Sequence, residues 1–144
     1  MIPLVLLFLF GIIDFGLALN QQNADTNIAN VAVREAAVVG TTTSVTCGTQ
    51  TETTLGAWAA CESQAMGGPA VSACVGDIST STSPMSGTYT TGDPIEVRVT
   101  SSFQWLHLIT GQVSGLSSTI GSSATMRLEG ALTGTNPFLS PTCT

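Results

Sequence analysis

The chain has 144 residues, enough for one modest domain once a greasy N-terminal segment is set aside. Only 8% of side chains are charged, with three arginines, no lysine and nine acids, for a formal net charge of −6. That balance speaks against nucleic-acid binding, because phosphate recognition needs clustered cations and Arg34, Arg98 and Arg127 are scattered.

Met1 to Ile13 carries no charge, and after Asp14 the apolar character continues through Phe15, Leu17, Ala18 and Leu19 to the polar break NQQN at Asn20 to Asn23. As a helix the run from Met1 to Leu19 is ~28 Å long, just short of a ~30 Å hydrocarbon core. A cleaved secretory signal would begin with basic residues, and none precedes this run. A buried helix of a soluble protein is rarely apolar on every side. A single membrane anchor fits best, although the flanking Lys or Arg that usually sets orientation is missing. An aspartate near the bilayer centre costs ~2.5–3.5 kcal/mol, so Asp14 is expected near an interface or against a partner.

Beyond the run the helix is predicted to continue, with Ala24, Ile28, Ala32, Ala36 and Val39 forming a small-residue stripe and Asn27, Asn30 and Arg34 falling elsewhere. Gly40 stops it before the threonines Thr41 to Thr43. From there the composition turns to Thr, Ser, Gly and Ala, polar but uncharged. Thr49 followed by Glu52 has the spacing of a capping box and predicts a second helix that presents Leu55, Trp58, Cys61 and Ala65 on one face and ends at Gly67, Gly68 and Pro69.

Cys47, Cys61, Cys74 and Cys143 form neither a CxxC pair nor a zinc-type cluster, so disulfides and an extracytoplasmic location are expected. We pair Cys61 with Cys74, on the strand-like stretch VSACV, and Cys47 with Cys143; the two other connectivities stay open. Thr80 to Gly92 reads as a linker. Ile95, Val97 and Val99 then alternate with Glu96, Arg98 and Thr100, which predicts a half-buried strand. ATMRLEG at Ala124 to Gly130 repeats that logic, with Ile120, Ala124, Met126 and Leu128 inward. The two strands are expected to pair antiparallel with one Glu/Arg cross-strand contact.

Between them, Gln104 to Ser118 is apolar at Trp105, Leu106, Ile109, Val113 and Leu116: a short helix on the sheet, or a contact patch centred on Trp105, Leu106 and Ile109 for a neighbouring subunit or the membrane surface. His107, the only histidine, has no nucleophile or second ligand around it, and Asp25, Asp77 and Asp93 read as turn residues. No catalytic, cofactor-binding or metal residue is assigned, and without lysine there is no phosphate loop.

Several of these elements, in this order, resemble the TadE-like family, the small membrane-anchored minor pilins of the tight-adherence, Flp pilus system. They are the proline at Pro3, the FGIIDFG element at Phe10 to Gly16, the Asn/Gln/Ala-rich stretch closing in VREAA at Val33 to Ala37, the strand IEVRVTSSF at Ile95 to Phe103, and ATMRLEG. The stretch Thr41 to Gly92 takes no part. The resemblance implies that Pro3, Gly11, Asp14, Phe15 and Gly16 belong to a membrane and assembly helix. It implies as partners membrane lipid, other pilin-like subunits and the pilus assembly machinery, in homo- or hetero-oligomers. The family pattern also has a basic leader with a Glu-Phe-Ala element several residues before the proline, where a prepilin-type peptidase acts; that element is not in the printed sequence.

The expected architecture is α+β: a long N-terminal membrane-anchoring helix, a short second helix and a small antiparallel sheet. Residues 1–19 form the transmembrane segment, 20–40 its helical continuation and 41–144 an extracytoplasmic domain, held by a single pass in the cytoplasmic membrane. The expected function is pilus assembly with surface adhesion and biofilm formation, without substrate turnover or cofactor. The competing reading is a secreted or surface domain with a cleaved signal, whose Ser/Thr-rich loops bind a glycan or host protein.

Overall fold

A computed structural model describes residues 2–39, 42–77, 87–105, 117–134 and 136–139. Helix α1 runs unbroken over Ile2–Val38. It contains no proline after Pro3, and the polar break at Asn20 interrupts its hydropathy without interrupting its backbone. Its first half exposes Leu4 to Leu9, Ile12 and Ile13. From Asp14 onward one face is buried, and Ile28, Ala29, Ala32, Val33, Ala36 and Ala37 are each at most 3% exposed. The predicted small-residue stripe therefore faces the protein, with Ala24 only partly covered, while Asn27, Asn30 and Arg34 point outward.

The main sheet has the order β3-β5-β6, formed by Val71–Asp77, Pro94–Gln104 and Ser117–Arg127. Both pairings are antiparallel. The β5–β6 register runs without a bulge from Pro94 opposite Arg127 to Gln104 opposite Ser117. In β5 the side chains of Ile95, Val97, Val99, Ser101 and Phe103 are buried and alternate with more exposed ones, as the period of two requires. Helix α1 packs on β5 and β6, and the second helix, α2 (Leu55–Ala65), packs on β3, so both helices cover one face of the sheet. Among the described residues there are also two short ribbons, β1 with β2 (Val45–Cys47, Gln50–Glu52) and β4 with β7 (Gly87–Tyr89, Leu132–Gly134). A 3-10 turn at Pro137–Leu139 inserts Phe138 and Leu139 into the core. The architecture is α+β.

Four local expectations are corrected. Helix α2 spans Leu55–Ala65 and is capped by Thr54, whose hydroxyl accepts from the Ala57 N–H at 3.2 Å. Thr49 and Glu52 belong instead to the β1–β2 hairpin, which turns at Gly48 with φ 59, a conformation that glycine adopts without steric penalty. Leu55 and Trp58 are buried as expected, but Ala65 is exposed and Ala59 and Ser63 complete the inner face. The helix ends as predicted at Gly67–Pro69; a Cβ on Gly68 would stand 2.7 Å from Ser63 Oγ, so the close approach of this turn requires glycine.

The disulfide expectation is overturned: Cys47 is bonded to Cys61, with Cα atoms 6.3 Å apart. Cys74 alternates with the buried Ala73 and Val75 and so lies on the sheet face away from α2, out of reach of Cys61. Cys74 is itself disulfide-bonded, while Cys143 lies outside the described residues. Third, part of the expected linker is strand β4. Fourth, the Glu/Arg cross-strand contact is absent among the described residues, because the register places Glu96 opposite Thr125 and Arg98 opposite Ser123. Arg98 instead meets Glu96 of its own strand at 3.5 Å, and Arg127 donates to the Gly92 carbonyl at 2.9 Å.

Candidate functional site

The features that set this chain apart from an ordinary small domain lie along α1, so the helix and its seam with the sheet form the candidate site. The chain arrangement fixes two ends. At the near end, where the apolar run stops, lie the Met66–Pro69 turn, the end of β5 and the start of β6; Val71 opposite Ser101 and Gln104 opposite Ser117 set this level. At the far end α1 finishes against the β6 exit, where the Glu129 N–H donates to the Ala37 carbonyl at 3.1 Å.

At the near end the seam is polar. Gln21 Nε2 donates to Ser101 Oγ at 2.7 Å and to the Ser102 carbonyl at 3.1 Å, and Ser101 Oγ donates in turn to Asp25 Oδ2 at 2.5 Å. One turn further, the Thr26 and Ser122 hydroxyls lie 3.0 Å apart. Asp25 is fully buried, and its Oδ1 has no hydrogen-bond partner. Burial raises its pKa above the usual carboxylate value, while the Ser101 bond opposes the rise. The turn role expected of Asp25 is therefore wrong: it is an interior acid of the helix–sheet seam. Asp93 does serve a turn, with Oδ2 accepting from the Thr90 N–H at 2.7 Å.

Asp14 stands on the same helical face as Ala18, Gln21 and Asp25 and is 5% exposed. Gly11 and Gly16 carry open space where a Cβ would be, and Gly11 lies with Leu7, Phe8, Ile12 and Phe15 around a shallow apolar groove. Phe15 is 59% exposed. Pro3 lies in the first turn of α1. Trp105, from the expected contact patch, meets Phe103 edge-on with ring centroids 5.0 Å apart and donates its indole N–H to Ser118 Oγ at 2.8 Å. Leu106 and Ile109, like His107, lie outside the described residues. A cleft of about 810 Å³ opens at the near end between Leu17, Gln21, Met66, Pro69, Phe103 and Gln104.

Reading the sequence missed Gln21, Asp25 and Ser101 as a unit. Its one available signal is Ser101 at an inward position of β5, a polar residue in the series that Ile95, Val97 and Val99 begin. Among the described residues no cluster of His, Cys, Asp or Glu has a metal-holding arrangement.

Residues 1–37 match the protein family described as TadE-like protein, the family the sequence resembles. The match covers all of α1 but its last residue and none of the sheet; the IEVRVTSSF and ATMRLEG strands fall outside it. No curated protein and no solved structure matches the chain. The helix is long and apolar enough to cross a membrane, with only 11% of its most apolar window buried in the protein.

Proposed function

We propose that the protein is a membrane-anchored, minor-pilin-like component of a tight-adherence (Flp-type) pilus system, acting in pilus assembly and, through the pilus, in surface adhesion and biofilm formation. The observation that carries this reading is the coincidence of the family match with all but the last residue of α1, whose first half exposes large apolar side chains on all sides. Residues 1–19 serve as the transmembrane segment, 20–40 as the docked continuation and 41–144 as the domain outside the cytoplasm. Asp14 faces the chain's own domain, and the surface offered to neighbouring helices is the exposed groove that flanks it, around Gly11 and Phe15. Glycine there lets a second helix approach closely. The partners are other pilin-like subunits; no catalytic or cofactor role is proposed.

Membrane fractionation with N-terminal sequencing, followed by deletion of the gene, tests the reading. Retention in membranes with the run intact and loss of pili on deletion are expected. A soluble mature chain starting near Leu19 would establish the secreted alternative instead. Gly11→Leu should leave membrane retention intact and abolish piliation.

A further inference from the structure

The apolar run and the sheet domain are joined without a spacer. Leu19 is the last residue of the run, and Gln21, two positions on, is already hydrogen-bonded to Ser101 and Ser102 at the near end of β5. From there to Ala37 the helix is fastened to the sheet by side-chain bonds, close packing and the Glu129 backbone bond. A rigid helix docked in this way cannot lift its domain off the bilayer in which the run is embedded. The domain also reaches lower than Gln21: Ala18 and Asp14 are 8% and 5% exposed, and Asp14 stands ~10 Å below Gln21 at ~1.5 Å of rise per residue. An interfacial headgroup layer is ~5–8 Å thick on each side of the hydrocarbon.

The side chains at this end suit that position. Leu17, Leu19 and Met66 are 49%, 44% and 51% exposed. No charged residue occurs in Phe15–Gln21, Met66–Ala70, Ser101–Trp105 or Ser117–Gly121, whereas Arg34, Glu35, Asp93, Glu96, Arg98, Arg127 and Glu129 all lie toward the far end. Trp105 is half-buried, and its indole N–H is satisfied by Ser118, so the ring can enter the interface without stranding a donor.

We propose that the sheet domain sits directly on the bilayer, with the Met66–Pro69 turn and the β5–β6 end, Trp105 included, in the lipid headgroup zone. The inference rests on the anchoring reading and adds a second membrane contact to it. The occupant is lipid rather than another subunit because the described rim adjoins the end of the apolar run, with Gln21, two positions after Leu19, bonded to Ser101 and Ser102.

The experiment reconstitutes the full chain in phosphatidylcholine vesicles whose acyl chains carry a spin-label quencher either near the headgroup or near the chain end. Trp58→Phe leaves Trp105 as the only tryptophan; subtracting the signal of Trp105→Phe from that of the unmutated chain gives the same reading without altering the buried Trp58. Trp105 emission should fall with the headgroup-side label and fall less with the chain-end label. As a control, Phe8→Trp in a chain lacking the two native tryptophans should be quenched most by the chain-end label. Unquenched Trp105 beside a quenched Phe8→Trp reporter would overturn the seating and leave the anchor standing. If neither reporter is quenched, the anchor reading falls and the seating falls with it.

Discussion

The two halves of α1 are one continuous helix with opposite relations to their surroundings. Before Asp14 the side chains are large, and those of Leu7, Phe8 and Ile12 are each at least 65% exposed. After it the buried positions are mostly alanine, with Ile28 and Val33 the largest. Hydrophobicity alone would have reversed this assignment. Size is what separates the halves: small residues let the helix axis approach the sheet closely, whereas bulky ones supply the apolar surface that lipid or a neighbouring helix requires.

The strongest way to break that contrast is to charge the first half. Leu7→Arg combined with Ile12→Arg should cost roughly 5–7 kcal/mol of insertion at the ~2.5–3.5 kcal/mol per residue of a mid-bilayer cation. Fractionation should then find the protein outside the membrane; unaltered retention would mean that the first half is not lipid-embedded. In the second half the corresponding change is one of size. Ala32 is fully buried, and Ala32→Leu should destabilise the fold by about 1–3 kcal/mol through overpacking, read as a lower Tm in detergent micelles, without affecting retention.

The smallest effect sharpens the boundary between the halves. Asp25 has a folded-state pKa above its ordinary value of 3.8, so its favourable contribution is fully present below that pH and is lost as pH rises through the folded pKa. Asp25→Asn should remove this component of the stability–pH curve. At neutral pH it should stabilise the fold by about 1 kcal/mol, at the low end of what burying an imperfectly satisfied polar group costs. A variant whose Tm falls with rising pH as steeply as that of the unmutated chain would show that Asp25 is not the group responsible.

Legibility followed the reach of the signal. The membrane-length run, the small-residue stripe and the alternation of β5 are local periodicities, and each appears where the sequence placed it. The start of α2 failed because Thr49 and Glu52 have cap spacing while Gly48 permits a hairpin in the same stretch, and spacing alone does not rank the two. That error carried into the disulfide: with Thr54 as the cap, Cys61 lies against the hairpin that ends in Cys47, whereas Cys74 lies on the sheet's other face. Strand β4 was missed because its partner, β7, is more than forty residues away and neither alternates clearly. At the site, Asp14 is conspicuous in sequence, but which way it faces depends on distant residues. Asp25 becomes intelligible only once Ser101, 76 residues on, is placed beside it.

The absence of a spacer after Leu19 has a mechanical consequence. Helix and sheet move as one lever, ~55 Å long at ~1.5 Å per residue, with its fulcrum in the bilayer. A tilt of about 20°, ordinary for a membrane helix, about the middle of the run would carry the far end of α1 sideways by roughly 14 Å. Packing against neighbouring helices and the interfacial anchors, which set tilt, thereby also set where the charged end of the domain points.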